Sequence, residues 1–74
     1  MVVATRPRHR VLVVDDEETI GRSIGRILKL HDVATATTVA RGVELATTLD
    51  PELVIVDFYL PDGTGKDVMR RLLE

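Results

Sequence analysis

The apolar positions of this chain fall into short runs that predict the strands of a parallel sheet. Val11–Val14 and Leu53–Val56 are continuous apolar runs, rich in Val and Ile, with no polar alternation. Runs of this kind are typical of strands that are buried on both faces. Asp32–Ala36, which contains the β-branched residues Val33 and Thr35, predicts a shorter strand between them. The strands are therefore expected at Arg10–Val14, Asp32–Ala36 and Leu53–Val56.

Helical periodicity follows the first strand. Four apolar residues recur on one helical face and predict a first helix from about Glu18 to Leu30. They are Ile20, Ile24, Ile27 and Leu28. Gly21 and Gly25 weaken this helix relative to alanine. We expect both to be tolerated glycines on a partly exposed face, rather than a place where another backbone approaches.

Capping residues mark two further helices. Thr38 is predicted to cap a helix from about Val39 to Leu49, which ends at Asp50 because the residue before proline is pushed out of the α region. Its inward residues are expected to be Val39, Val43 and Ala46. Thr64 and Asp67 resemble a capping box that begins a third helix. The apolar residues of that helix are Val68, Met69, Leu72 and Leu73.

Acidic residues follow two of the predicted strands directly. Asp15 and Asp16 come after the first strand, and Asp57 comes after the third. Because the carboxyl ends of parallel strands share one edge of the sheet, these three side chains are expected to converge there. Three adjacent anions repel one another unless a cation joins them. Hard carboxylate oxygens with room for water suit Mg²⁺ or Mn²⁺.

With these motifs the chain resembles the receiver domain of bacterial two-component response regulators. The matching segments are VLVVDDEE at residues 11–18 and DPELVIVDFYLPDGTG at residues 50–65. The resemblance covers Arg10 to Glu74 and implies a flavodoxin-like α/β fold with strand order 2-1-3. It also implies a phosphoacceptor in two-component signalling rather than an enzyme.

The same resemblance implies roles for individual residues. Asp57 would accept a phosphoryl group from a sensor histidine kinase or a phosphotransfer protein. Asp16 would bind Mg²⁺ directly, Asp15 would bind it through a water molecule, and the backbone carbonyl of Tyr59 would be a further ligand. Nucleic acid would be contacted only through an output domain absent from this sequence.

The chain departs from the family by supplying three of its five β/α units. The family's later hydroxyl residue and lysine, which bind the phosphoryl oxygens, have no counterpart here. The third strand, central in the family, would be an edge here, and edges with unpaired backbone groups recruit other strands. We therefore expect a truncated receiver fold completed by a homodimer through this edge. An alternative function is a non-catalytic, self-associating interaction module.

Length and composition indicate the domain count and the cellular location of the chain, but not its function. The chain has 74 residues, no cysteine and a net charge of −2. This length suits one small domain, and the charge argues neither for nor against nucleic acid. No apolar run reaches the length of a membrane span and no leader pattern begins the chain, so we expect a cytoplasmic protein. Residues 1–9 are expected to form a flexible basic tail, with residues 10–74 as the partial receiver domain.

Other chemistry-bearing residues are given milder interpretations. Asp62 lies in a Pro-Asp-Gly turn and is predicted to be a turn residue rather than a fourth metal ligand. His31 is predicted to be a surface histidine at a helix C-terminus, and His9 is given no role. A Mg²⁺-dependent phosphotransferase of the haloacid-dehalogenase kind is disfavoured, because such enzymes need a second acid at the position of Tyr59.

Overall fold

A computed structural model describes residues 8–74. Its main sheet has three parallel strands in the order β2-β1-β3, as predicted. Val11 lies opposite both Val33 and Leu53, so the flanking strands enter the sheet at the same level. The strands of this sheet are β1 (Arg10–Val14), β2 (Asp32–Ala36) and β3 (Leu53–Val56). The helices are α1 (Glu18–Ile27), α2 (Val39–Leu49) and α3 (Gly65–Leu72).

Most of the core lies on the face of the sheet that α2 and α3 cover. Its central side chains, Leu12, Val14 and Val68, have no exposed surface. They pack with Ala36, Val39, Ala46 and Leu60. Because side chains alternate along a strand, Val11 and Val13 point to the opposite face. The core is thus made of small and branched aliphatic side chains.

The opposite face is only partly covered, because α1 packs against β1 and β2 but leaves β3 open. Leu53 and Ile55 of β3 share this face with Val11 and Val13, and they are 51% and 36% exposed. Ile27 of α1 is 78% exposed. Met69, within α3, and Leu73, just after it, are also exposed. Apolar side chains on α1 and around α3 are therefore left uncovered.

Helix α1 is shorter than predicted, since it ends at Ile27 instead of Leu30. Leu28 leaves the helical region at φ −101° and ψ 32°, and its N–H donates to Ile24. The N–H of His31 then donates to the carbonyl of Leu28, which closes a turn before β2. The chain must leave the helix here, because the N–H of Asp32 donates to the carbonyl of His9 at the start of the sheet.

The prediction for Gly21 was wrong. Gly21 is buried, and a Cβ at this position would lie 2.9 Å from the Cγ2 methyl of Thr35 on β2. Gly25 has no such neighbour within 4 Å, as expected for a tolerated glycine. Of these two glycines, only Gly21 is needed for the close approach of α1 to the sheet.

Polar contacts hold the segment that leads into β1 to the starts of the other two strands. The predicted tail lies outside the described residues as far as position 7, whereas Arg8 and His9 are described. Arg8 pairs with Asp32 at 2.9 Å, and Nδ1 of His9 lies 2.8 Å from Glu52. Nδ1 of His31 accepts a hydrogen bond from the backbone N–H of His9 at 3.1 Å. Both histidines thus sit at the amino-terminal end of the sheet.

Candidate functional site

The three predicted acids meet at the carboxyl-terminal edge of the sheet. Asp15, Asp16 and Asp57 each offer a carboxylate oxygen, and these oxygens all lie within 4.8 Å of one another. The sheet produces this arrangement, because Val14 is paired with Val56 and the next residues emerge side by side. Backbone bonds continue past the strand ends: Asp57 donates to Val14, and Asp15 donates to Ala36, each at 2.9 Å.

Local hydrogen bonds orient two of these carboxylates. Oδ1 of Asp15 accepts from the backbone N–H of Glu17 at 2.9 Å. Oδ1 of Asp57 accepts from the backbone N–H of Phe58 at 2.8 Å. Each bond uses one carboxylate oxygen, and no hydrogen bond within the described residues uses the other, which can therefore bind a ligand. Both side chains are thereby oriented while keeping one carboxylate oxygen for a ligand.

Within residues 8–74, no ion pair balances the negative charge of the pocket. None of the ion pairs formed within residues 8–74 involves Asp15, Asp16 or Asp57. Asp16 is exposed, and the other two acids are half-buried, so water reaches the site. A small divalent cation that prefers oxygen ligands and keeps several waters fits this donor set. The residues present therefore suit Mg²⁺ or Mn²⁺.

The segment after Asp57 is more structured than the predicted simple turn. It forms a two-stranded hairpin, β4 (Tyr59–Leu60) and β5 (Gly63–Thr64), whose turn contains Pro61 and Asp62. Tyr59 occupies the first position of β4, and its side chain is 75% exposed. Leu60 is buried in the core and anchors the hairpin to it. That the carbonyl of Tyr59 binds a cation stays a prediction.

The end of the hairpin is fixed by a close backbone contact. The N–H of Gly65, the first residue of α3, donates to the carbonyl of Phe58 at 2.8 Å. Gly65 is buried, and a Cβ there would overlap the carbonyl oxygen of Asp57. The predicted capping box is confirmed, with Thr64 and Asp67 each accepting a backbone hydrogen bond from the other. The loop thus returns to within contact of the acid it follows.

Asp62 lies in the predicted turn, and it also has a partner that the local sequence did not reveal. Its carboxylate accepts from the backbone N–H groups of Val39 and Ala40 at 2.7 and 3.1 Å. These hydrogen bonds, led by that from Val39, lower the pKa of Asp62. Asp62 lies in a turn, as predicted, and the acidic cluster found within residues 8–74 does not include it. No sequence signal joins residues 23 positions apart in this way.

His31 and His9 lie away from the acidic pocket, at the opposite ends of the strands. The predicted surface position of His31 is only partly correct, because the ring is half-buried and accepts a hydrogen bond from His9. His9 likewise has structural contacts where none were predicted.

Within the described part of the chain, no helix is long and apolar enough to cross a membrane.

A family model described as the response regulator receiver domain matches residues 11–74. The chain is 38% identical over 66 residues to the photosynthetic apparatus regulatory protein RegA of Rhodovulum sulfidophilum, covering 86% of this chain and 36% of that protein. It is 41% identical over 64 residues to the KDP operon transcriptional regulatory protein KdpE of Escherichia coli K12, covering 84% of this chain and 28% of that protein. The chain thus spans about a third of the length of these relatives.

Solved structures give the same result for the fold. The non-phosphorylated HemR receiver domain of Leptospira biflexa superposes with a TM-score of 0.81 at 29% identity, covering 89% of this chain and 55% of that one. A response regulator receiver domain protein of Clostridium thermocellum superposes with a TM-score of 0.77 at 31% identity, covering 86% and 54%. The described strands and helices therefore correspond to about half of such a domain.

Proposed function

We propose that this chain, which belongs to the response regulator receiver domain family, accepts a phosphoryl group on Asp57 beside a divalent cation in the acidic pocket. Family membership rests on the match over residues 11–74. The observation that carries the proposal is the convergence of three carboxylates within 4.8 Å at the edge of the sheet. We place this reaction in two-component signalling, with a histidine kinase or phosphotransfer protein as donor. The lack of cysteine suits a reducing, cytoplasmic setting.

Asp57 is the proposed nucleophile because its carboxylate is both oriented and partly free. One oxygen accepts from Phe58, and the other is available to attack phosphorus. A bond forms between this oxygen and phosphorus as the bond from phosphorus to the donor breaks. The leaving group keeps the electron pair of that bond: acetate leaves as its anion, and the imidazole nitrogen of a phosphohistidine takes up a proton from the solvent as it leaves. The chain therefore acts as a phosphoacceptor, and cleavage of the donor's bond to phosphorus provides the driving force for the transfer.

The other acids are proposed to hold the cation. Asp16 is the most exposed of the three and would bind it directly, whereas Asp15, whose Oδ1 is committed to Glu17, would bind through water. Asp57 and the carbonyl of Tyr59 would complete the protein ligands. The bound cation supplies positive charge that offsets the repulsion between carboxylate and phosphoryl oxygens.

Cation binding is tested by thermal denaturation of the parent protein with and without Mg²⁺. A ligand that binds only the folded state stabilises it by about 2.7 kcal/mol at a hundredfold excess over its dissociation constant. Asp16→Ala should remove most of this gain, whereas Asp50→Asn, far from the pocket, should keep it. An unchanged melting temperature of the parent protein would count against the metal site.

Phosphoryl transfer is tested with acetyl phosphate as a small donor. The parent protein and Asp50→Asn should take up one phosphoryl group in the presence of Mg²⁺, as measured by intact mass. Asp57→Asn, which keeps the shape of the side chain but loses its nucleophilic charge, should take up none. Equal uptake by Asp57→Asn and the parent would refute Asp57 as acceptor.

A second candidate function is a self-associating interaction module. It is favoured by the free edge of β3, which pairs only with β1 in the described structure, and by the exposure of Leu53 and Ile55 beside it. This candidate retains the fold and the cation site without phosphoryl transfer. It is preferred if the folded protein binds Mg²⁺ but gains no mass from acetyl phosphate.

A further inference from the structure

We infer that Asp62 is a positioning residue, which holds the metal-binding loop in place by fastening the β4–β5 hairpin to the first turn of α2. The inference rests on the proposed function, since it concerns the loop that carries Tyr59 past Asp57. It adds a residue that neither touches the acidic cluster nor is part of it. Asp62 therefore acts through the backbone of the hairpin.

The first turn of α2 is capped by the residue directly before it and by a residue from a distant part of the chain. Thr38, the residue before the helix, accepts from the N–H of Arg41 at 3.1 Å. Asp62 accepts from the N–H groups of Val39 and Ala40 at 2.7 and 3.1 Å. Together they bind the first three N–H groups of the helix, which have no partner within it. The contact with Asp62 is bidentate, so it fixes direction as well as distance.

The hairpin transmits this constraint toward the acidic pocket. Asp62 lies in its turn, Leu60 pairs with Gly63, and Tyr59 pairs with Thr64. The base of the hairpin is held separately by the bond from Gly65 to Phe58. The turn and the base are thus anchored to different elements, α2 and the end of β3. Removal of the Asp62 anchor should free the turn to move while the base stays attached.

The competing explanation is that Asp62 only stabilises α2. Acidic groups at a helix N-terminus are favourable for that reason alone. Thr38→Ala separates the two explanations, because it removes the other cap of the same helix turn without touching the hairpin. Asp62→Ala removes a cap and the anchor together. Asp62→Asn keeps one acceptor oxygen and should have an intermediate effect.

The test compares the Mg²⁺ dissociation constants of the parent protein, Thr38→Ala, Asp62→Asn and Asp62→Ala by titration calorimetry, at a temperature where all are folded. Both alanine variants should melt at lower temperature than the parent. Asp62→Ala should also weaken Mg²⁺ binding by about tenfold or more, as expected for a residue that orients the metal ligands without binding the metal itself. Thr38→Ala should leave Mg²⁺ affinity within about twofold of the parent. Equal affinity in both alanine variants would overturn the positioning role.

Hydrogen exchange in metal-free buffer gives a second readout that does not depend on cation binding. Asp62→Ala should speed exchange at Leu60 and Gly63 more than Thr38→Ala does, since only the former releases the turn of the hairpin. If the parent binds no Mg²⁺, the proposed function fails, and exchange still decides whether Asp62 holds the loop. If the parent binds Mg²⁺ and the exchange rates of the two variants agree, the inference alone fails.

Discussion

The three pocket carboxylates are expected to repel one another in the metal-free protein, and substitution of single residues tests this repulsion. Asp16→Ala and Asp57→Ala should each stabilise the protein in buffer with a chelator, because each removes one of three adjacent charges. Asp16→Ala is the cleaner case, since Asp57 also accepts a hydrogen bond from Phe58. Urea denaturation measures both variants. A loss of more than about 1 kcal/mol in each would mean that these acids are structural.

Other carboxylates have the opposite effect, because they are hydrogen-bonded in the folded state. The pKa of Glu52 is lowered from its ordinary 4.5, first by the hydrogen bond to His9. The pKa values of Asp62 and Asp67 are lowered from 3.8, first by backbone hydrogen bonds from Val39 and Thr64. A carboxylate whose folded pKa is lowered contributes stability above its unfolded pKa, and loses it as pH falls through the folded value.

The urea midpoint should therefore fall as pH decreases from about 5 to about 3, the range in which these groups begin to bind protons. Asp62→Asn and Glu52→Gln should each flatten this dependence, because the amide cannot titrate. Asp32→Asn, whose carboxylate contacts Arg8 on the surface, serves as a control. A midpoint that is constant over this range would contradict the contribution of these bonds.

Among the elements, α1 offers an internal comparison between two glycines. Gly25→Ala should stabilise the protein by up to about 1 kcal/mol, because alanine favours the helix and meets no atom within 4 Å. Gly21→Ala should destabilise it by about 1–3 kcal/mol, because the new methyl would press on Thr35 of β2. Thermal denaturation of the two variants checks this. Equal shifts would mean that α1 does not pack against β2 at Gly21.

The elements also show which patterns a sequence makes visible. All three strands of the main sheet and helix α2 have their predicted bounds, because apolar runs and caps are local signals. The end of α1 was missed, since it depends on the turn that leads into β2. The β4–β5 hairpin was missed because strands of two residues show no periodicity. The burial of Gly21 and the capping contacts of Asp62 depend on partners far along the chain.

The acidic pocket was predictable because its position depends on local sequence signals. Asp15 and Asp57 follow continuous apolar runs, so their place at the edge of a parallel sheet follows from the strands alone. The half-burial of His31 was not predictable, because it results from His9 packing beside it, with ring centres 5.2 Å apart. A single sequence therefore indicates where a strand end points, but not which side chains from elsewhere meet it.

For the whole molecule, the open edge of β3 predicts a concentration-dependent dimer of this chain. Two-fold antiparallel pairing of β3 with the same strand of a second copy would satisfy the free backbone groups. Sedimentation at micromolar concentration should detect this dimer. Ile55→Lys should dissociate it, because Ile55 is exposed beside the edge, whereas Val56 packs against the core and is a poorer test.

Thr48→Lys, on the exposed surface of α2, is the matched control for the added charge. It should leave the dimer intact. A folded monomer at all concentrations would contradict the dimer, as would a dimer that Ile55→Lys leaves unchanged.

The central claim, that Asp57 is the phosphoacceptor, is tested most directly by locating the phosphoryl group. The protein is treated with acetyl phosphate, with and without Mg²⁺, and the modified residue is identified by tandem mass spectrometry after trapping of the acyl phosphate. We predict modification at Asp57 alone, dependent on Mg²⁺ and abolished by Asp16→Ala. Modification at another acid, or a folded and Mg²⁺-bound protein that carries no phosphoryl group, would contradict the claim.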